Sequence, residues 1–143
     1  MKKRVMLQLP YSDGLKAVFE GRDDIEVDHF TELGEDNIQQ HIGNYDAVIL
    51  GIAPLTPRLI EAADNLKIAS RFGVGYDAVN VPALTKAGIA LSIAGIANSV
   101  TVAEHALFFM LALTKQALAY DRETRKGNWA IRFEEPAFDL AGR

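Results

Sequence analysis

Residues 46–52 of the sequence read DAVILGI. This stretch is an almost unbroken apolar run, which is typical of a strand that is buried on both faces of a parallel sheet. A strand with one face in water would instead alternate apolar and polar residues. The run therefore predicts a strand that helices cover on both sides.

Four further strand patterns lie on either side of this run, and helical patterns separate them. The strands are predicted at residues 4–10, 25–30, 66–72 and 89–94. Five successive β-α units predict an α/β fold, a flavodoxin-like doubly wound parallel sheet with strand order 2-1-3-4-5 and right-handed crossovers.

Capping residues mark several of the predicted helix boundaries. Thr56 stands directly before Pro57, which is the usual order at a helix start. Asn80 is expected to cap the following helix, and Gly43 is expected to end the second helix as a C′ residue.

The character of the sequence changes after residue 97. One helical pattern runs from Ser99 to about Lys126, with Thr101 and Glu104 spaced as a capping box. Residues 106–113 are apolar almost all round, which predicts burial, with a second chain as one candidate surface.

Composition and charge exclude several classes of function. The net charge of −4 disfavours nucleic acids and acidic membranes as partners. The absence of cysteine excludes disulfides and thiolate chemistry and fits a cytoplasmic protein. The apolar stretch 102–113 contains Glu104 and His105 and is therefore not a membrane span.

The three histidines do not have the spacing of a metal site, so no metal ligands are predicted. They are His29, His41 and His105. Because His105 lies on an apolar helix face, we interpret it as a core residue rather than a catalytic one.

The segment RFGVGYDAVNV, residues 71–81, contains Gly73-x-Gly75 and resembles a dinucleotide-binding loop. Three features count against that function: it follows the fourth strand, the next helix begins too late, and no acidic residue follows about 20 residues later. Two interpretations remain, a plain tight turn and a turn whose N–H groups near Val74 and Gly75 bind a small anion such as a carboxylate.

Three polar residues near the predicted ligand side have two possible roles each. Asp77 is a candidate general acid or base, although capping a turn is its commoner role. Asn98 and Thr101 stand where a loop enters a helix, and there they can cap the helix, face a ligand, or do both.

Two motifs together resemble one enzyme family. SRFGVGYDAVNVPALTKAGI (70–89) followed by ANSVTVAEHALFFMLAL (97–113) resembles the D-isomer-specific 2-hydroxyacid dehydrogenases. Members of that family have a flavodoxin-like substrate domain, a long crossing helix and a Rossmann NAD(P) domain. The resemblance implies a D-2-hydroxy or 2-oxo acid ligand, NAD or NADP as the cofactor of the intact enzyme, and a homodimer.

The resemblance also implies roles for individual residues. The backbone at Val74 and Gly75 is expected to bind the substrate carboxylate, and Asn98 is expected to lie beside the substrate. Thr101 and Val102 are expected to approach the nicotinamide.

The same resemblance divides the chain. Residues 1–97 would be the N-terminal part of the substrate domain. Residues 98–143 would be an interdomain and dimerisation helix with the lead-in to a Rossmann domain. The catalytic arginine, glutamate and histidine of the family follow the position matched by residue 143, so no catalytic residue is assigned. We expect these 143 residues alone to be inactive and to bind no NAD or NADP.

The substrate class and the enzymatic role have alternatives. In the loop GIAPLT (51–56), Ala53 and Pro54 stand where phosphoglycerate-type members tend to have an arginine. A phosphate would lack its charge-assisted bonds there, which favours a non-phosphorylated acid. The alternative function is a non-enzymatic α/β domain that binds a small carboxylate for regulation.

Overall fold

The computed structural model describes residues 2–8, 13–32 and 34–142. The chain forms two compact units, of which the first ends at Gly95 and the second begins at Ile96. The predicted limit of a substrate domain at residue 97 remains a prediction.

The first unit contains one five-stranded parallel sheet with the order β2-β1-β3-β4-β5. The predicted fold class and strand order are therefore confirmed. The strands are β1 (Lys3–Leu7), β2 (Ile25–His29), β3 (Ala47–Leu50), β4 (Ile68–Arg71) and β5 (Ala90–Ile93). The helices that connect them are α1 (Asp13–Phe19), α2 (Glu35–Ile42), α3 (Pro57–Glu61) and α4 (Val81–Ala87).

The core of the first unit lies on the central strands. Met6, Val48 and Ala69 are side by side in the register of β1, β3 and β4, and none of the three is exposed to solvent. Ile38 and Ile42 of α2 belong to the same buried cluster.

Residues 47–50 of the apolar run form β3, in which Val48 and Leu50 are buried and the other two residues are half-buried. The predicted burial on both faces is therefore incomplete, and Ile52 beyond the strand is 83% exposed.

Two predicted caps are present. The Thr56 hydroxyl accepts a hydrogen bond from the Leu59 N–H at 3.3 Å, and Pro57 occupies the first turn of α3. The Asn80 side chain accepts one from the Ala83 N–H at 2.9 Å at the start of α4. Each bond satisfies an N–H group that the helix itself leaves unpaired.

The second helix ends at Gly43 as predicted, although Gly43 is its C-cap rather than a C′ residue and does not have the left-handed backbone typical of a C′ glycine. Its φ is −61°, which is ordinary right-handed helical backbone. A Cβ atom at this position would lie 2.7 Å from the carbonyl oxygen of Ala62. Glycine is needed there because α2 ends against the backbone that follows α3, where Asn65 also donates to the Gly43 carbonyl at 2.7 Å.

Within residues 96–142, the second unit contains three helices. They are α5 (Ser99–Thr114), α6 (Ala117–Arg125) and α7 (Ile131–Glu134). The prediction of one helix to about residue 126 is wrong, because Gln116 adopts a left-handed conformation with φ 51° and separates α5 from α6. The break contains neither proline nor glycine, so the sequence carries no ordinary signal for it.

The capping box predicted at Thr101 and Glu104 is also wrong. Helix α5 begins at Ser99, and its N-cap is Asn98, so Thr101 lies within the first turn. The Asn98 side chain makes no capping hydrogen bond.

The apolar side chains of α5 are exposed in the single chain, so the predicted burial is not provided by this chain itself. Between 47% and 75% of each of these side chains is accessible to solvent: Val100, Val102, Leu107, Phe108, Phe109, Met110, Leu111 and Leu113. In the described part of the chain, no helix has the length and hydrophobicity of a membrane-spanning segment.

Candidate functional site

Two loops leave the sheet at the same edge, the carboxyl ends of β3 and β4. A parallel bridge ties them together, since the Leu55 N–H donates to the Ala78 carbonyl at 2.9 Å and the Asn80 N–H donates to the Leu55 carbonyl at 3.0 Å. Ligands of open parallel sheets bind at this edge. The bridge therefore gives the edge a fixed backbone frame.

The turn after β4 is held by backbone hydrogen bonds on both sides. The Phe72 N–H donates to the Leu50 carbonyl at 2.9 Å, and the Ala94 N–H donates to the Gly73 carbonyl at 3.0 Å. Gly73 has φ 156°, a conformation that only glycine adopts readily. The turn thus has one defined shape, and its shape depends on glycine at position 73.

Five consecutive backbone N–H groups in this turn, from Val74 to Ala78, have no acceptor in the described part of the chain, and those of Val74 and Gly75 come first. Both residues are exposed, Val74 to 42%. Paired backbone amides of this kind suit a small anion. Regular bonding resumes when the Val79 N–H donates to the Tyr76 carbonyl at 2.9 Å.

The same turn does not fit the pyrophosphate of a dinucleotide. Helix α4 begins only at Val81, after the bridged residue Val79, so its N-terminus does not follow the glycines directly. In a dinucleotide fold the glycine turn opens the helix and the pyrophosphate lies on its N-terminus. The geometry therefore agrees with the sequence argument against a nucleotide loop.

Charged groups flank the amides of Val74 and Gly75. The Arg71 guanidinium turns back over the loop, and its Nη1 donates to the Phe72 carbonyl at 2.9 Å. The Asp77 carboxylate lies near Gly75, with Oδ2 3.4 Å from the position that a Cβ there would occupy. Sequence reasoning missed Arg71, although a cation two residues before the first glycine was visible.

Several exposed side chains at this edge are apolar or aromatic. Ile52, Phe72 and Tyr76 are exposed to 83%, 64% and 48%. Ala53 is buried, and no lysine or arginine occurs in the loop 51–56. The edge thus presents apolar surface beside the free amides, without a cation on the β3 side.

The remaining predicted site residues belong to the second unit. Asn98 is the exposed N-cap of α5, and its carbonyl accepts from the Val102 N–H at 2.9 Å. Thr101 and Val102 follow in the first turn, with Val102 57% exposed. The structure thus groups Val74 with Gly75 in one turn, and Asn98 with Thr101 and Val102 in one helical turn.

The interpretation of His105 as a core residue is wrong for the single chain. His105 is exposed, and its ring centroid lies 4.2 Å from that of Phe109 and 5.9 Å from that of Phe108. Its contacts are therefore with its own helix. Within residues 2–8, 13–32 and 34–142, no group of three or more histidine or acidic side chains is placed to bind a metal ion.

The shifted pKa of Tyr45 belongs to a structural cluster and not to this edge of the sheet. Burial, and then the hydrogen bond to the Asp28 carboxylate, raise the pKa of Tyr45 to about 12. The Tyr45 hydroxyl donates to Asp28 at 2.8 Å, and Arg4 donates to the same oxygen at 2.6 Å. Tyr45 stands before β3, at the amino-terminal end of that strand.

Comparison with known proteins assigns the chain to a family. Residues 6–130 match the family model described as D-isomer specific 2-hydroxyacid dehydrogenase, catalytic domain. The chain belongs to this dehydrogenase family. The match includes both motifs from which the resemblance was inferred.

Individual relatives of this dehydrogenase family agree. The D-3-phosphoglycerate dehydrogenase of Synechocystis sp. is 36% identical over 105 residues, which are 73% of this chain and 19% of that protein. The NAD-dependent formate dehydrogenase of Staphylococcus aureus, solved in complex with NAD, superposes with a TM-score of 0.77 and 29% identity over 96% of this chain and 46% of that one.

A third relative shows the fold alone. The D-mandelate dehydrogenase of Rhodotorula graminis superposes with a TM-score of 0.79 at 21% identity, over 94% of this chain and 44% of that one. The chain therefore spans about a fifth of the phosphoglycerate relative and less than half of either solved dehydrogenase.

Proposed function

We propose that this chain is the substrate-binding part of an NAD(P)-dependent oxidoreductase that interconverts a D-2-hydroxy acid and its 2-oxo acid. The observation that carries the proposal is the pair of free N–H groups at Val74 and Gly75, within the family's motif and at the ligand edge of the sheet. A hydrogen bond to a charged acceptor stabilises a complex by about 1.5–3 kcal/mol, so two such bonds can position a small acid.

The proposed roles of this chain are to bind and to orient. The Val74 and Gly75 amides hold the substrate carboxylate, which fixes one end of the acid. Asn98 lies beside the substrate, and Thr101 and Val102 approach the nicotinamide. NAD or NADP, when bound to the intact enzyme, would supply the hydride acceptor for oxidation of the hydroxy acid, and the residues of this chain would hold and orient the acid.

The preferred substrate is a non-phosphorylated acid. The loop 51–56 carries no cation, and the exposed side chains beside the amides include Ile52, Phe72 and Tyr76. A phosphate dianion would lose its hydration without gaining a guanidinium partner on that side. An uncharged or apolar substituent on the 2-oxo acid has no such penalty.

Calorimetry on the 143-residue chain tests the binding function. We expect pyruvate to bind, pyruvamide to bind much more weakly because it lacks the negative charge, and NAD not to bind. Tight binding of NAD, or oxidation of NADH with pyruvate by this chain alone, would contradict the proposal that this chain only binds and orients the substrate.

A chimera distinguishes an enzyme part from a regulatory domain. Residues 1–143 would replace the matching segment of the Staphylococcus aureus formate dehydrogenase, whose structure aligns with 96% of this chain. We expect the chimera to oxidise NADH when a 2-oxo acid is supplied. A folded chimera that binds pyruvate and NAD but shows no turnover would favour the regulatory alternative.

We also propose that the chain forms a homodimer through α5. The support is the row of half-exposed apolar side chains along α5 and a groove of about 640 Å³ between α5 and α6. The groove is lined mainly by apolar side chains, among them Phe108, Phe109 and Leu113. Apolar surface of this extent marks an interface.

A further inference from the structure

The guanidinium of Arg71 lies directly against the turn that carries the amides of Val74 and Gly75. Its Nη1 donates to the Phe72 carbonyl at 2.9 Å. A Cβ on Gly73 would lie 3.2 Å from Nη1 and 3.4 Å from Cζ. The guanidinium thus occupies the space that the missing side chain of Gly73 leaves open, and it braces the turn immediately before Val74.

Most of the hydrogen-bonding capacity of this guanidinium is unused. Arg71 is only partly exposed, and it stands opposite Leu50 and Ile93 in the register of the sheet. It forms no ion pair with any carboxylate in the described part of the chain, and its hydrogen bond to Phe72 uses one of five N–H donors. An arginine packed by its stem, with no carboxylate partner, retains its charge for a ligand.

A carboxylate on the other side of the turn opposes anion binding. Asp77 Oδ2 is 3.4 Å from the Cβ position of Gly75, and this carboxylate has no hydrogen-bond or ion-pair partner among the described residues. A like charge about 5 Å from a bound carboxylate weakens binding about fourfold even in a water-like dielectric. Without a compensating cation, the Val74–Gly75 turn would therefore be a poor anion site.

We infer that Arg71 is a positioning residue that sets the carboxylate affinity of the Val74–Gly75 turn, by bracing Gly73 and by offsetting the charge of Asp77. The inference rests on the proposed function, since it concerns the same acid in the same turn. It adds the reason that two neutral amides beside a carboxylate bind an anion rather than repel it.

Four variants separate charge from packing. Arg71→Met keeps a long stem without charge or donors, and Arg71→Lys keeps the charge without the planar fork. Asp77→Asn removes the opposing charge without touching Arg71, and the double variant Arg71→Met/Asp77→Asn removes both charges. Calorimetry with pyruvate at about 20 and about 200 mM NaCl gives each affinity and its salt dependence. Thermal unfolding verifies that each variant is folded.

We expect Arg71→Met to weaken pyruvate binding about fivefold at low salt and to flatten its salt dependence. Arg71→Lys should stay within about twofold of the unaltered chain, and Asp77→Asn should bind about threefold more tightly. The double variant should return close to the unaltered affinity. A purely structural arginine would not change the salt dependence or be compensated by Asp77→Asn.

The experiment distinguishes failure of the proposed function from failure of the inference about Arg71. If the unaltered chain does not bind pyruvate, the proposed function fails and the inference fails with it. If the unaltered chain binds and Arg71→Met binds equally well, only the inference fails. If Arg71→Met does not fold, the test rests on Asp77→Asn. The inference is overturned if Asp77→Asn binds pyruvate with the same affinity as the unaltered chain.

Discussion

Gly73 and Gly75 are separated only by Val74, but their backbone conformations and neighbours differ. Gly73 has φ 156° and packs against the Arg71 guanidinium, whereas Gly75 has ordinary backbone and only a van der Waals neighbour at 3.4 Å. We expect Gly73→Ala to lower the free energy of unfolding by about 1–3 kcal/mol because the backbone would be strained.

Gly75→Ala is the matched control for that substitution. It should change the free energy of unfolding by less than about 0.5 kcal/mol, as is usual for exposed positions. Urea denaturation of the two variants measures the difference. Equal stability of the Gly73→Ala and Gly75→Ala chains would show that the turn does not have the conformation described.

The requirement at Gly43 is steric rather than conformational. A Cβ would stand 2.7 Å from the Ala62 carbonyl oxygen, a backbone atom that cannot move without shifting the end of α3. Gly43→Ala should therefore cost about 1–3 kcal/mol of unfolding free energy, in the range of an overpacked core. Gly34→Ala is the control, since no atom lies within 4 Å of its Cβ position. Equal thermal unfolding midpoints for the two variants would refute the close approach of Gly43 to the Ala62 carbonyl.

The roles of single residues were predictable where they depend only on neighbouring residues in the sequence. Thr56 and Asn80 cap helices through bonds that span three residues, and the sequence shows both partners. The reason for Gly43 lies at Ala62, in another element, so no pattern around position 43 could reveal it. Arg71 was missed for a similar reason, because its role depends on how its side chain folds back over the turn.

Arg4 of β1, Asp28 of β2 and Tyr45, just before β3, form an ionisable cluster. This cluster makes the stability of the first unit depend on pH. Tyr45 is buried and donates to Asp28, which raises its pKa to about 12 from an ordinary value of about 10. The folded state therefore favours the neutral phenol. This stabilisation is complete below about pH 10 and is lost as the pH rises from about 10 through about 12.

Tyr45→Phe tests the dependence, because phenylalanine cannot ionise. The unaltered chain should lose stability between about pH 10 and 12, and the loss should be smaller in Tyr45→Phe. Urea unfolding at several pH values, with tyrosinate absorbance as a second probe, measures both effects. Parallel stability profiles for the two chains would contradict the assigned environment of Tyr45.

The break between α5 and α6 depends on a strained residue. Gln116 has φ 51°, a left-handed conformation that costs a residue with a Cβ about 1–2 kcal/mol. We expect Gln116→Gly to stabilise the chain slightly, by up to about 1 kcal/mol. Ala106→Gly, at an exposed position within α5, should instead destabilise by about 1 kcal/mol. If both glycines destabilise the chain equally, helix 99–125 is continuous.

Helices and strands were predictable where burial gives the sequence a regular pattern of apolar residues. Val48 and Leu50 of β3 are buried in the parallel sheet, and the apolar character of the strands and their order with the helices determine the topology. Helix α5 and its break were harder to predict, because neither the end at Thr114 nor the turn at Gln116 has a glycine or proline to mark it.

At the scale of the whole molecule, the exposed apolar face of α5 predicts self-association. We expect the chain to sediment as a dimer, and Leu107→Glu or Phe108→Glu to produce monomers, because a buried unpaired carboxylate is strongly unfavourable at an interface. The control is Val18→Glu on α1, where an apolar side chain of the first unit is 67% exposed. Analytical ultracentrifugation that finds a dimer in all three variants would exclude α5 as the interface.

The assignment to a dehydrogenase family was predictable because two sequence motifs carry it, at residues 70–89 and 97–113. The ligand-facing details were only partly predictable. The free amides of Val74 and Gly75 were inferred from glycine spacing and resemblance, but the charges on either side of them were recognised only from the structure.

NMR can show residue by residue whether the Val74–Gly75 turn binds the carboxylate of a 2-oxo acid. The backbone amide resonances of the ¹⁵N-labelled chain would be followed during titration with pyruvate, and with pyruvamide as the uncharged control. We expect the amides of Val74 and Gly75 to shift most, in a saturable way, and pyruvamide to leave them nearly unchanged. Saturable shifts centred elsewhere, or equal shifts with both ligands, would contradict the proposed carboxylate site.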